Sequence, residues 1–167
     1  MNFVKRALLS IFFLLSLVFL DQTAKYFVIN YIGKSLQKFS VLGNFIDLAY
    51  AENPGIAFGL LSTLSKKTIN LFILIVFLIV LLFIFKKTHS SKSKFIYIII
   101  SAGAISNFLD RIIRGFVVDY IKLAFFPPIF NLADVYIVMG TVFLILEIIF
   151  SYNSLKIENK ICLDIKK

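Results

Sequence analysis

The stretch Asn107–Asp134 reads NFLDRIIRGFVVDYIKLAFFPPIFNLAD and places Asp110, Asp119 and Asp134 among residues that suit a lipid environment. A carboxylate at the centre of a bilayer costs about 2.5–3.5 kcal/mol by insertion scales, so such residues are rare in membrane helices and mark functional sites. The whole chain has nine acidic residues, and three of them lie here. This concentration indicates a functional carboxylate site at one face of a membrane.

The composition around this stretch predicts an integral membrane protein. Of the 167 residues, 60% are hydrophobic without counting glycine, whereas soluble domains average about 45–50% with glycine included. The length predicts a single domain, residues 1–167. The net charge of +9 does not indicate nucleic-acid binding, because most basic residues lie in short segments that flank apolar runs. A single cysteine and a single histidine argue against an internal disulfide or a metal site.

The apolar runs predict an all-α membrane protein with four transmembrane helices, at about residues 5–28, 69–85, 95–113 and 131–150. The connectors at about 29–67 and 114–130 are predicted to be loops on the outer side. A weak alternation over Phe45–Ala51 predicts a small β-containing region between the first two helices. Pro127-Pro128 cannot lie inside a helix, so 114–130 is expected to be an irregular loop. The polar tail after the fourth helix is expected to be frayed.

Two segments have more than one interpretation. Asp21 and Lys25 share a helix face at i, i+4, and they form either a solvated ion pair at the helix end or a polar anchor beside a site. The segment NPGIAFG at 53–59 is a turn pattern that is compatible with a simple loop. Small residues in the third helix are expected to permit close packing of another helix: Ser101, Gly103, Ala104 and Ser106.

The distribution of basic residues predicts the orientation of the chain. The N-terminus, the connector at 86–94 and the tail carry ten of the eighteen Lys and Arg residues in the shorter segments, which favours both termini in the cytoplasm. With four spans, separate segments then bring polar residues to one level at the outer side: Asp21, Lys25, Asn107, Asp110, Arg111, Asp119, Asn131 and Asp134.

Asp119 and Asp134 are the candidate catalytic pair. Two carboxyls held close in a low-dielectric site do not ionise together, so one keeps its proton and the other can accept a proton from water, as in an aspartic peptidase. Asp110 and Arg111 are interpreted as a buried ion pair that supports the site. Carboxylates also converge in proton-coupled transporters, so the chemistry alone leaves that alternative open.

Four blocks of the chain resemble, in order, the lipoprotein signal peptidases (signal peptidase II) of bacteria. They are DQTAK at 21–25, NPGIAFG at 53–59, AGAISNFLDRIIRGFVVDYI at 102–121 and FNLAD at 130–134. The resemblance places the catalytic aspartates at Asp119 and Asp134. It implies that the supporting and substrate-binding residues are Asp21, Lys25, Asn53, Gly55, Ala57, Phe58, Asn107, Asp110, Arg111 and Asn131.

The resemblance also implies a reaction and its setting. The family removes the signal peptide from prolipoproteins by cutting before a cysteine that carries diacylglycerol, without metal or cofactor. We therefore expect lipidated prolipoproteins and membrane lipids as partners, a monomer, and a site facing outward in the bacterial inner membrane. The alternatives are a small proton- or ion-coupled transporter that uses the carboxylates as a relay, and an assembly subunit without catalysis.

Overall fold

Three helices dominate the structure, a computed structural model that describes residues 3–33, 39–43, 45–54, 68 and 91–165. They are α1 (Phe3–Phe27, continued by a π-helical segment, Val28–Gly33), α2 (Ser91–Ile113) and α3 (Leu132–Ile165). Each contains a segment that is long and apolar enough to cross a membrane, namely Ala7–Gly33, Lys94–Ile113 and Leu132–Tyr152. The protein is therefore mostly helical and membrane-embedded.

These helices can be compared with the predicted spans. The first, third and fourth predicted spans coincide with α1, α2 and the first part of α3 to within a few residues. The second, at 69–85, lies outside the described residues, so the four-helix arrangement stays a prediction. The prediction that the tail is frayed was wrong, because α3 continues to Ile165. Leu, Lys and Glu in SLKIENK are good helix formers, and their polarity does not oppose a helix that leaves the membrane.

A small antiparallel sheet of four strands lies beside the helices, in the order β1 (Phe39–Ser40), β2 (Ile46–Asn53), β3 (Val117–Leu123) and β4 (Phe126–Phe130). β2 confirms the strand predicted around 45–51. β3 and β4 occupy the segment that was predicted to be an irregular loop at 114–130. An all-α fold with β structure only between the first two helices was therefore too narrow a prediction.

The sequence of each unpredicted strand explains why it was missed. β3 is buried at four consecutive residues from Val117 to Tyr120, so it lacks the alternation of polar and apolar residues that marks a half-exposed strand. β4 contains Pro127 and Pro128 and lies at the edge of the sheet. An edge strand tolerates proline because its outer N–H groups have no ladder partner to lose.

The sheet and α3 together place the two candidate catalytic aspartates. In β3, Asp119 lies opposite Ala51 of β2, two residues from Asn53. β4 pairs with β3 on its other side and leads directly into α3. Asp134 is in the first turn of that helix. The antiparallel return of the chain therefore brings the start of α3 back to the middle of β3.

Close packing of α2 on α3 depends on Gly103, as its small-residue pattern predicted. A Cβ atom at this position would lie 2.4 Å from the carbonyl oxygen of Ala133 and 2.8 Å from Cγ1 of Ile137. Real Cβ atoms do not approach a backbone oxygen so closely. The residue that Gly103 contacts is the neighbour of Asp134, so the packing also determines the position of the site.

We expect Gly103→Ala to lower the thermal stability of the protein in detergent, because a methyl group there forces two helix backbones apart. Overpacking of this kind costs about 1–3 kcal/mol. Gly140→Ala is the matched comparison: its Cβ would lie 2.5 Å from Cγ1 of Ile100, so a side chain and not a backbone has to shift, and we expect a smaller loss. Both changes gain the same helix propensity, so the difference in melting temperature isolates the backbone clash. Equal melting temperatures would contradict it.

Candidate active site

Asp119 and Asp134 are joined through one residue, Asn131. The Asn131 side-chain Nδ2 donates to Asp119 Oδ1 at 2.7 Å, and its backbone N–H donates to Asp134 Oδ2 at 3.2 Å. Both aspartates line the same cavity. Asn131 itself is fully buried. The structure therefore brings together the pair that the sequence proposed, with the supporting Asn131 between them.

Asn131 and Asp134 form a capping box at the start of α3. The Asn131 side-chain Oδ1 accepts the backbone N–H of Asp134 at 2.9 Å, while Asp134 Oδ2 accepts the backbone N–H of Asn131 at 3.2 Å. This reciprocal pair satisfies two donors that a helix start leaves unpaired. The carboxylate of Asp134 is thus held by backbone geometry rather than by a flexible partner.

Two further asparagines hold the remaining oxygen of each aspartate. Asn53 of β2 donates from Nδ2 to Asp119 Oδ2 at 2.9 Å, and Asn107 of α2 donates from Nδ2 to Asp134 Oδ1 at 2.8 Å. Each of the four carboxylate oxygens therefore accepts one N–H group. The amides fix both side chains in place without adding a formal charge.

The carboxyl of Asp119 is unusually basic. The pKa of Asp119 is raised to about 6. Burial is the main cause, the hydrogen bonds from Asn53 and Asn131 oppose the shift, and the nearby charge of Asp134 adds to it. Asp119 is only 4% exposed, which accounts for the loss of hydration of its charged form. Near neutral pH this group exchanges a proton easily, as an acid–base catalyst requires.

A buried charge network lies behind the pair. Lys25 Nζ contacts Asp21 Oδ2 at 2.7 Å and Asp110 Oδ2 at 2.9 Å, and all three side chains are fully buried. The same ammonium donates to Asn107 Oδ1 at 2.9 Å, and Asn107 in turn donates to Asp134. The predicted Asp21–Lys25 pair is confirmed. This pair is not solvated at a helix end. It is a buried anchor that is linked to Asp134 through Asn107.

Asp110 has ion-pair partners other than the one predicted. Its Oδ2 pairs with Lys25 and its Oδ1 with Arg114, one helical turn away. Arg111 instead donates from Nη1 to the carbonyl of Asn107 at 3.1 Å. Neighbouring residues on a helix point about 100° apart, so a carboxylate meets the residue four positions on more readily than the next one. The predicted Asp110–Arg111 contact is therefore not among the ion pairs that Asp110 forms with the described residues.

Sequence reasoning missed several members of the network. Gln22 donates from Nε2 to Asp110 Oδ1 at 2.9 Å and to Ser106 Oγ at 3.0 Å. Ser106, expected only to permit packing, donates its hydroxyl to Asp21 Oδ2 at 2.6 Å. Arg114 also donates to Gln22 Oε1 at 3.2 Å. The i, i+4 spacing of Asp110 and Arg114 could have predicted their ion pair. The contacts between α1 and α2 leave no comparable pattern in the sequence.

An apolar cavity of about 510 Å³ opens beside the two aspartates. Its walls come from the β3–β4 turn, from β4 and from the first turns of α3: Leu123, Phe125, Phe126, Ile129, Phe130, Val135, Ile137, Val138 and Met139. Hydrophobic walls with few polar groups suit an apolar ligand that is oriented at one end. The site can therefore hold an apolar chain with a polar bond next to the carboxylates.

Other predicted site residues cannot be placed. Gly55, Ala57 and Phe58 lie outside the described residues, so of the NPGIAFG block only the contact of Asn53 is seen. Within the described ranges, His, Cys, Asp and Glu form no group of three or more suited to hold a metal ion.

The fold and the site together define a membrane-embedded protein with a carboxylate pair at the mouth of an apolar cavity. A family profile described as signal peptidase (SPase) II matches residues 13–150. The chain therefore belongs to the signal peptidase II family and is a protease, as the resemblance in its sequence predicted.

Relatives and solved structures agree with this assignment. The lipoprotein signal peptidase of Borrelia duttonii (strain Ly) is 34% identical over 163 residues, covering 90% of this chain and 96% of the relative. That of Caldanaerobacter subterraneus subsp. tengcongensis is 39% identical over 128 residues, covering 76% and 86%. A solved bacterial membrane enzyme is similar with a TM-score of 0.77 at 28% identity, covering 87% of this chain and 90% of the solved one.

Proposed function

We propose that this chain is a membrane aspartic endopeptidase that removes the signal peptide from prolipoproteins, cutting before a cysteine that carries diacylglycerol. The observation that carries the proposal is the pair Asp119 and Asp134, bridged by Asn131 at the mouth of an apolar cavity. Relatives that match almost end to end are lipoprotein signal peptidases. The cavity beside the carboxylates suits the acyl chains of such a substrate.

The proposed mechanism uses the two aspartates in opposite protonation states. The ionised carboxylate takes a proton from water, and the water oxygen attacks the carbonyl carbon of the scissile bond. The protonated carboxyl gives its proton to the carbonyl oxygen, which yields a neutral tetrahedral intermediate. The intermediate collapses when the carboxyl that took the proton from water donates it to the peptide nitrogen, which leaves as an amine. The other carboxylate takes back a hydroxyl proton as the new carboxyl group forms, and the pair returns to its resting state. The raised pKa of Asp119 keeps a shared proton available to the pair near neutral pH.

The other site residues have supporting roles in this proposal. Asn53, Asn107 and Asn131 orient the carboxylates, and Lys25 orients Asn107. The network of Asp21, Lys25 and Asp110 holds α1 and α2 in register, and Arg111 bonds to the Asn107 carbonyl. Gly55, Ala57 and Phe58 are proposed to enclose the substrate from the loop at 29–67.

The proposal includes a membrane orientation. The end of α2, the start of α3 and the sheet form one polar layer, which we propose faces outward in the inner membrane, with four spans and both termini in the cytoplasm. The dense basic segments support this direction. Lipidated precursors would reach a monomeric enzyme laterally through the surrounding lipid.

Membership of a peptidase family favours hydrolysis over the transporter alternative. The contacts agree, since the aspartate oxygens are held by amides at one level of the fold. A proton relay would need titratable groups spaced through the bilayer.

Purified protein with a synthetic precursor tests the function. We expect cleavage of the diacylglyceryl-modified precursor and none of the same peptide with a free cysteine, and mass spectrometry of the products should place the cut before the modified residue. Equal cleavage of both peptides would contradict the lipid requirement. Absence of cleavage combined with proton-driven flux in proteoliposomes would favour the transporter.

The pH dependence of cleavage should follow Asp119. With a pKa of about 6 for Asp119, the pair loses its shared proton as the pH rises above that value, so kcat/KM should fall as the pH rises through about 6. Asn53→Ala removes a hydrogen bond that favours the ionised form, and the alkaline limb should therefore move to higher pH. Asn30→Ala, which removes only an exposed bond to the Tyr26 carbonyl, is the control. An unmoved limb in Asn53→Ala would show that the alkaline limb does not report the Asp119 carboxyl.

A further inference from the structure

The first turn of α3, which carries Asp134, is held by side chains from other parts of the fold. The first four N–H groups of a helix have no partner within it. Here Leu132 N donates to the hydroxyl of Tyr120 at 3.3 Å, and Ala133 N donates to Asp21 Oδ1 at 3.1 Å. The next N–H, that of Asp134, is capped by Asn131. The helix start is therefore docked on β3 and on α1.

Tyr120 is the residue that connects these elements. Its hydroxyl accepts the Leu132 N–H and donates to Asp21 Oδ1, both at 3.3 Å, and the side chain is only 5% exposed. Burial raises the pKa of Tyr120, so the hydroxyl keeps its proton and can donate and accept at once. Tyr120 follows Asp119 in β3, and successive side chains of a strand point to opposite faces. One face of the strand thus presents a carboxyl of the pair, and the other holds the helix that carries its partner.

We propose that Tyr120 is a positioning residue for the reaction: its hydroxyl couples β3 to the first turn of α3 and so sets the separation of the Asp119 and Asp134 carboxyls. The effect on rate rests on the proposed function, whereas the coupling of strand and helix does not. Catalysis is sensitive to such a distance, since a misplacement of about 1 Å can reduce the rate by about 10²-fold.

The hydroxyl acts without touching either carboxyl of the pair. The two carboxyls are bridged by Asn131, whose own backbone immediately precedes Leu132. If Leu132 N loses its acceptor, the start of the helix keeps the bond of Ala133 N to Asp21 but loses its direct bond to β3, and a shift of this turn moves Asn131 and Asp134 with it. The aromatic ring of Tyr120 is buried and is retained in a phenylalanine. Loss of the hydroxyl alone should therefore leave the packing intact and disturb the alignment.

Tyr120→Phe tests this proposal, with Tyr136→Phe as a chemically identical control. Tyr136 lies on α3 two residues after Asp134, and within the described part of the chain its buried hydroxyl makes no hydrogen bond. For Tyr120→Phe we expect kcat on the lipidated precursor to fall by about tenfold or more with KM within about twofold. Hydrogen exchange at the Leu132 amide should become faster. Tyr136→Phe should match the wild type in all three measurements.

The outcomes separate the proposal from a purely structural role. An unchanged kcat in Tyr120→Phe overturns the proposal, even if the melting temperature falls. Unchanged exchange at Leu132 also overturns it, because the hydroxyl would then not hold the helix start. If the wild type cleaves no precursor, the proposed function fails, and faster exchange in Tyr120→Phe still shows the coupling between β3 and α3.

Discussion

Replacing Asp119 or Asp134 by asparagine is expected to reduce cleavage of a lipidated precursor by about 10³-fold or more, because each variant removes one half of the acid–base pair. With Asp134→Asn no carboxylate remains to accept a proton from water when Asp119 is protonated. With Asp119→Asn the pair loses one of the two carboxyls that can hold the shared proton. The two groups act as a unit, so the double variant should be no slower than either single variant.

The structure also sets the controls for these variants. Both oxygens of Asp119 accept amide N–H groups, from Asn53 and Asn131, so the NH₂ of an asparagine would face a donor. A buried donor left unpaired costs about 1–3 kcal/mol, and melting temperatures must therefore be measured beside the rates. Asp47→Asn is the matched control, since this half-buried carboxylate lies in β2 away from the cavity.

The assignment of the pair fails if either variant is inserted in the membrane, folded, and more than about a tenth as active as the wild type. Such a residual rate would be too large for a group that transfers a proton in the transition state.

Local spacing predicted much of the site from the sequence. Asp21 and Lys25 at i, i+4 and Asn131 and Asp134 at i, i+3 are contacts that a helix creates wherever it forms. The fourth predicted span began within one residue of α3, because the apolar run starts directly after Asn131. These features depend on neighbours in the chain, and the sequence displays them directly.

Contacts across long separations could not be predicted in the same way. The pairing of β2 with β3 joins Asn53 to Asp119, which are 66 residues apart. No periodic pattern of residues in the sequence predicts this pairing. The bond from Ser106 to Asp21 spans 85 residues. In β3 burial on both faces removed the alternating pattern, and in β4 two prolines argued against regular structure altogether. The resemblance supplied Asn53 as a site residue, but only the sheet explains how it reaches the pair.

Lys25→Met is expected to destabilise the protein by about 3–5 kcal/mol, the cost of breaking a buried ion pair and leaving its partners uncompensated. Asp21 and Asp110 both rely on this ammonium, and no part of the three side chains is exposed. Asp110 keeps Arg114, so Asp21 should account for most of the loss. Lys5→Met, an exposed position on the same helix, should leave the melting temperature unchanged.

A second substitution identifies the cause of the loss. Removing the uncompensated charge with Asp21→Asn in the Lys25→Met background should recover part of the lost melting temperature, although each single change destabilises the protein. Activity should not return with stability, because Lys25 also orients Asn107, which holds Asp134. Additive losses in the double variant would contradict the charge pair, because two groups that interact give a combined loss smaller than the sum of the single losses.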